Sequence, residues 1–140
     1  MEFRSSSQED TIKIGYDVGS RCQGGEVIAL YGTLGVGKTV FVKGLALGLG
    51  IGESITSPTF AIVHSYEGRL PLLHFDMYRL SCADELLDIG WDDYLDGKNV
   101  VALEWSENVE KIIPENAIRV SIRSTGESTR EISVEGGDFA

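Results

Sequence analysis

Apolar residues fall along the chain in two rhythms, each marking a kind of element. Ile14, Val18 and Cys22 recur at i, i+4 and i+8 and predict a short first helix opened near Ser7 to Asp10, with Gly15 and Gly19 weighing against it. Residues 1–7, ahead of it, are polar and are expected to fray. Gly24-Gly25 then breaks the chain, and Glu26 to Tyr31 follows as a nearly continuous apolar run, the pattern of a strand covered on both faces. Residues 38–49 are apolar on most sides and predict a buried helix, in which Gly44 and Gly48, one turn apart, would permit close approach to a strand.

Residues 59–66 and 70–76 are β-rich runs joined by Glu67-Gly68-Arg69, which reads as a hairpin and brings antiparallel strands into the sheet. Residues 82–95 read as helix in one or two pieces, Asn99 to Trp105 as another apolar strand, and Ser106 to Ile113 as a short helix stopped by Pro114. Ala117 to Arg123 and Arg130 to Glu135 close around Gly126, with Ile118, Val120 and Ile122 alternating. This order predicts one α/β domain over residues 1–140, with a mixed parallel and antiparallel central sheet flanked by helices.

Composition narrows the function. Apolar residues at 42% and charged residues at 24% place the chain among globular proteins rather than disordered ones. Twelve Lys and Arg against 22 Asp and Glu give a formal charge of -10, so the field of the whole molecule repels phosphate backbones and autonomous nucleic-acid binding is not expected. A local phosphate site stays open, because backbone N–H groups and one lysine can hold a nucleotide on an acidic protein. The apolar stretches are far short of a membrane span and the start lacks an apolar signal core, so a soluble, cytoplasmic protein is expected. Cys22 and Cys82 are too few and too far apart for a zinc or C-x-x-C pattern and read as reduced thiols.

The segment Gly32-Thr-Leu-Gly-Val-Gly37-Lys38-Thr39 satisfies G-x-x-x-x-G-K-[ST], a phosphate-binding loop, and it lies where such a loop belongs, between an apolar strand and a helix. Its glycines let backbone N–H groups curl around phosphates at the positive end of the helix; Lys38 reaches the β and γ phosphates, and the Thr39 hydroxyl ligates Mg²⁺. The fold expected is therefore P-loop NTPase-like. Such a site also needs an acid at the end of a neighbouring strand, and two present themselves: Asp76 ends Leu72 to Asp76, and Glu104 ends Val100 to Glu104. Either can hold the metal or orient the attacking water, and either can be a plain surface carboxylate.

Weaker signals lie around these. Ser57-Pro58-Thr59 reads as a switch segment or as a turn fixed by proline. Trp105 reads as a nucleotide contact or as rim packing, and Arg79 as a phosphate contact or the partner of an acid. His64 and His74 lack metal spacing and read as core histidines. Between residues 84 and 96 lie Asp84, Glu85, Asp88, Asp92, Asp93 and Asp96 with no basic residue among them, a solvated face or an acidic docking surface that Trp91 and Tyr94 would reinforce.

Taken in order, G-x-L-G-x-G-K-T, Ser57-Pro58-Thr59-Phe60, His74-Phe75-Asp76-Met77-Tyr78-Arg79-Leu80 and Glu104-Trp105 resemble the TsaE family (also called YjeE) over about residues 11–123. The resemblance implies an ATPase required for the threonylcarbamoyladenosine modification of tRNA, acting with TsaB and TsaD and leaving the transfer itself to TsaD. By position it implies nucleotide contacts at Gly35, Val36, Gly37, Lys38, Thr39, Val40 and Trp105, and Mg²⁺ contacts at Thr39 and Glu104. It matches Asp76 to the acid of the H-F-D-x-Y-R motif and, with Lys38, gives the expected catalytic pair. Two positions depart from the family pattern: Thr33 stands where an acid is common, and Val40 where a second threonine is common. Two other functions fit the same loop, a small kinase that phosphorylates a metabolite and a nucleotide-gated binding module without useful hydrolysis.

Overall fold

The computed structural model describes residues 1–32, 36–55, 63–76, 95, 97–104 and 106–137, with the backbone alone described at Asp76 and at 107–109. Strands β1 (Glu2–Ser5), β2 (Val27–Tyr31), β3 (Val63–Tyr66), β4 (Leu72–Asp76), β5 (Val100–Glu104), β6 (Ile118–Ser124) and β7 (Arg130–Glu135) form one sheet in the order β1-β7-β6-β2-β5-β4-β3. The inner strands β6, β2, β5 and β4 pair in parallel, while β3, β7 and β1 join antiparallel at the flanks. The mixed α/β sheet read from the sequence is thus the observed one.

Both faces of the middle strands are covered, which is why β2 and β5 read as unbroken apolar runs. Ile28, Leu30, Leu72, Val100 and Ala102 face the helices α1 (Gln8–Arg21) and α2 (Lys38–Gly48), and pack with Val18, Phe41, Val42 and Leu45. Val27, Ala29, Leu73, Phe75, Val101 and Leu103 face the other way, toward Ile113 and Ala117 just after a 3₁₀ helix over Ser106–Ile112. At the β6–β7 end the alternation shows instead: Ile118, Val120, Ile122, Ile132 and Val134 are buried, while Ser121 and Arg123 between them are exposed.

The expected fraying of residues 1–7 is overturned. Glu2 to Ser5 pair with Ser133 to Arg130, Val134 N–H donates to Met1 O at 2.8 Å, and Ser5 is buried with its hydroxyl 2.7 Å from that of Thr11. Pairing that satisfies the β7 edge uses backbone groups, which any sequence supplies, so a polar stretch conceals it. Ser7 then caps α1, accepting from the Asp10 N–H at 3.1 Å, while Asp10 accepts from the Ser6 N–H at 3.0 Å.

Gly44 and Gly48 do permit a close approach, but to α1 rather than to a strand. A Cβ at Gly44 would lie 2.1 Å from Ile12 O and one at Gly48 2.4 Å from Tyr16 O; reciprocally, one at Gly15 would lie 2.4 Å from Phe41 O and one at Gly19 2.3 Å from Leu45 O. Four residues along α1 match four along α2, so the helices run parallel in backbone contact. The glycines that weigh against the first helix are the ones that let it pack.

Parallel packing puts both helix C-termini together, and Arg69 lies across them. Its guanidinium donates to Cys22 O and Gly19 O at 3.0 Å each and to Gly48 O at 3.4 Å, a cation placed where both dipoles are negative. Arg69→Met is expected to lower stability by about 1 kcal/mol, the scale of an exposed charge-assisted cap. Urea denaturation checks this, and an unchanged midpoint would show that water replaces the guanidinium at no cost.

The remaining elements match with trimmed ends. The hairpin pairs Val63–Tyr66 with Leu72–Asp76, and residues 59–62 lie outside the described residues. The helix read over 82–95 also lies outside them, except Leu95, which belongs to no helix or strand.

Candidate functional site

The site forms where β2, β4 and β5 deliver their C-terminal ends beneath the start of α2, the end of a parallel sheet at which ligands collect. Glycines turn the chain from β2 into α2. Gly32 leaves β2 at φ 147°, where a Cβ would lie 2.8 Å from Ile122 O, and Gly37 caps α2 at φ 112° with no side-chain hydrogen bond to the first turn. A helix start whose N-cap is a glycine turns backbone N–H groups and the positive dipole end toward an anion.

Lys38 opens α2, is 4% exposed, and bends back to donate from Nζ to Gly32 O at 2.7 Å, clasping the first glycine of the loop. One residue on, Thr39 Oγ1 lies 3.2 Å from each carboxylate oxygen of Glu104. Glu104 is buried at the end of β5, and its Oε2 meets His74 Nε2 at 2.5 Å. Register explains the meeting: His74 pairs with Ala102 and Asp76 with Glu104, so His74 and Glu104 are diagonal neighbours on the α2 side of the sheet. His74 is fully buried, and its Nδ1 has no hydrogen-bond partner among the described residues.

The Tyr31 hydroxyl, at the end of β2, donates to Glu110 of the 3₁₀ helix; burial first, and then that carboxylate, push the phenol up to about 12. Arg130, opening β7, donates from Nε to Val36 O at 2.9 Å. Beside the loop lies a cavity of about 240 Å³ bordered by Ser7, Gln8 and Thr11 of the α1 start, by Gly37 and Val40 of the α2 start, and by Arg130. Because the helices are parallel, the starts of both border this one cavity, that of α1 capped by Ser7 and carrying Glu9 and Asp10 in its first turn.

The predicted residues Val36, Gly37, Lys38, Thr39, Val40 and Glu104 come together here. Asp76 pairs with Glu104 through the backbone, while its side chain, Gly35 and Trp105 lie outside the described residues, as do Thr33, Ser57 to Phe60, Arg79 and the acidic run with Trp91 and Tyr94. Thr39 and Glu104 offer adjacent hard oxygens, the donor type that suits Mg²⁺ completed by phosphate and water, so the residues present fit that ion. His74 and Arg130 are the residues that sequence reasoning missed. His74 is in the core as read, yet its position two before Asp76 on the strand leading to the acids was a signal; no signal marked Arg130. His64 is half-buried on the edge strand β3, directly across from His74 in the β3–β4 pairing, with its Nδ1 3.3 Å from the Tyr66 hydroxyl. Cys22 is a buried thiol, which burial pushes up to about 12; Cys82 lies outside the described residues. Among the described residues no helix is long and apolar enough to cross a membrane.

The family model described as threonylcarbamoyl adenosine biosynthesis protein TsaE matches residues 5–132. A relative from Treponema pallidum, the tRNA threonylcarbamoyladenosine biosynthesis protein TsaE, is 46% identical and aligned over 96% of this chain and 99% of its own. The protein of the same name from Bacillus subtilis is 39% identical over 95% of this chain and 84% of its own. Among solved structures, a crystal structure of Bacillus subtilis YdiB superposes with a TM-score of 0.78 at 35% identity, covering 94% of this chain and 82% of that one.

Proposed function

This chain belongs to the TsaE family of threonylcarbamoyl adenosine biosynthesis proteins, and from that premise we propose that it is the family's ATP-binding and ATP-hydrolysing component in the cytoplasm. Its place is tRNA threonylcarbamoyladenosine biosynthesis. In our reading it acts with TsaB and TsaD, and ATP turnover resets or regulates the complex that carries out the transfer. A formal charge of -10 fits a protein that reaches tRNA through partners rather than by its own surface.

One observation carries the reading: the Thr39 hydroxyl and the Glu104 carboxylate meet at 3.2 Å beside a helix start whose N-cap is a glycine and that Lys38 opens. Phosphate oxygens accept from the N–H groups of the loop and the first turn of α2, and Lys38 exchanges Gly32 O for the terminal phosphates, where its charge offsets the negative charge that grows as the γ-phosphoryl group leaves. Thr39 and Glu104 would hold Mg²⁺, which would neutralise part of the phosphate charge. Asp76, in register with Glu104, is assigned to orienting the attacking water. Val40 contributes its N–H to the phosphates without the hydroxyl common in the family, and Trp105 lies against the nucleotide.

The test is ATP hydrolysis by the purified chain with Mg²⁺, alone and with TsaB and TsaD. The expected result is a slow basal rate that changes when both partners are present. ATP-dependent complex formation without turnover would favour the nucleotide-gated module, and phosphate passed to a small acceptor the kinase. Glu104→Gln keeps the acceptor for Thr39 and removes the charge, so the Mg²⁺ concentration for half-maximal activity is expected to rise about tenfold. An unchanged Mg²⁺ requirement would take Glu104 out of the metal site.

A further inference from the structure

A loop that cradles an anion turns its N–H groups inward, so its carbonyls face outward and need donors of their own. Two of those carbonyls have cationic donors: Lys38 Nζ reaches Gly32 O at 2.7 Å, and Arg130 Nε reaches Val36 O at 2.9 Å. The second contact fixes more than one atom. Val36 O and the Gly37 N–H belong to one planar trans peptide and point in opposite directions, so a donor that holds the carbonyl toward β7 holds the N–H away from it. Gly37, at φ 112°, leaves that peptide freer to rotate than a residue with a Cβ would.

Arg130 itself is anchored. Its Nη1 donates to Thr129 O at 2.8 Å and to Gly126 O at 3.2 Å in the β6–β7 turn, so the guanidinium is held by the hairpin while Nε is left for the loop. We infer that Arg130 is a positioning residue for nucleotide binding: it locks the Val36–Gly37 peptide with the Gly37 N–H directed at the phosphates. This rests on the ATP-binding reading above. It adds a role for the β6–β7 hairpin, which lies far along the chain from the glycine-rich motif, in shaping the phosphate site.

The experiment compares ADP binding to the intact protein and to Arg130→Met, with the Gly37 amide resonance followed by NMR. In the wild type, ADP is expected to move the Gly37 amide proton downfield as it donates to phosphate. In Arg130→Met that shift should shrink and the ADP dissociation constant should rise about tenfold. Arg130→Lys keeps the charge and an aliphatic stem but has no Nε–H in that plane, so it should lose affinity equally; it carries the test if the methionine variant does not fold. Thr125→Ala, which removes only the 2.9 Å contact between the Thr125 and Thr129 hydroxyls in the same turn, should leave ADP affinity unchanged. Wild-type affinity and an unchanged Gly37 shift in folded Arg130→Met would overturn the inference alone, and full rescue by lysine would replace positioning with simple charge. A wild-type protein that fails to bind ADP would overturn the nucleotide reading and this inference with it.

Discussion

Lys38→Ala is expected to bind ATP weakly and to hydrolyse it at least about a hundredfold more slowly than the wild type, the scale seen when one preorganised donor to developing charge is removed. The physical case starts from burial. A lysine only 4% exposed is retained where strong acceptors or an anion compensate its ammonium, and Gly32 O at 2.7 Å is one such acceptor. Phosphate is the better partner for the same cation, so the clasp is a contact to be exchanged on binding. Stability should change far less than activity, by about 1 kcal/mol, since the variant loses a hydrogen bond but also sheds a desolvated charge. Measuring turnover, ATP affinity and the urea midpoint on one preparation separates the two effects. A folded variant with unchanged ATP affinity and turnover would remove the glycine-rich segment from phosphate chemistry altogether.

Much of the site was readable from the sequence because local signals agreed with one another. The apolar run into Tyr31, the glycines at 32 and 37, and the apolar helix from Lys38 are each ambiguous, and together they specify strand, turn and helix start. The acid at Glu104 was legible for the same reason, as the end of an apolar strand. What stayed hidden depended on partners distant in the chain. Gly44 announces a close approach but not what approaches, and the answer, Ile12 O, is fixed by how α1 crosses back over the sheet. Arg130 looks like any hairpin arginine until the sheet order puts β7 beside the loop that follows β2. Residues 1–7 were misread because they offer the core one apolar side chain, Phe3, and are otherwise held by backbone pairing and by the hydroxyls of Ser5, Ser6 and Ser7, polar groups that a sequence pattern reads as solvent-facing.

Gly44→Ala tests whether the helix pair belongs to the site or merely supports it. In an isolated helix this change gains about 1 kcal/mol of propensity. Here the new methyl would lie 2.1 Å from Ile12 O and 2.8 Å from its carbon, and both are backbone atoms that no rotamer change can move. Separating two helices in backbone contact opens voids along the whole seam, so overpacking of about 3 kcal/mol outweighs the propensity gain. A net loss of about 2 kcal/mol corresponds to a fall in melting temperature of roughly 5–10 °C at this chain length. Gly52→Ala provides the contrast, since no described residue lies within 4 Å of its Cβ, and should be neutral or slightly stabilising. The functional consequence follows from the parallel arrangement: α1 displaced from α2 also draws Ser7, Gln8 and Thr11 back from the cavity they share with Gly37 and Val40. ADP affinity should therefore fall in Gly44→Ala at temperatures where the protein is still folded, and stay unchanged in Gly52→Ala. If Gly44→Ala melts at or above the wild-type temperature, the helices are not in backbone contact. If it melts lower but binds ADP normally, the α1 start has no part in holding the nucleotide, and the dipole reaching the phosphates is that of α2 alone.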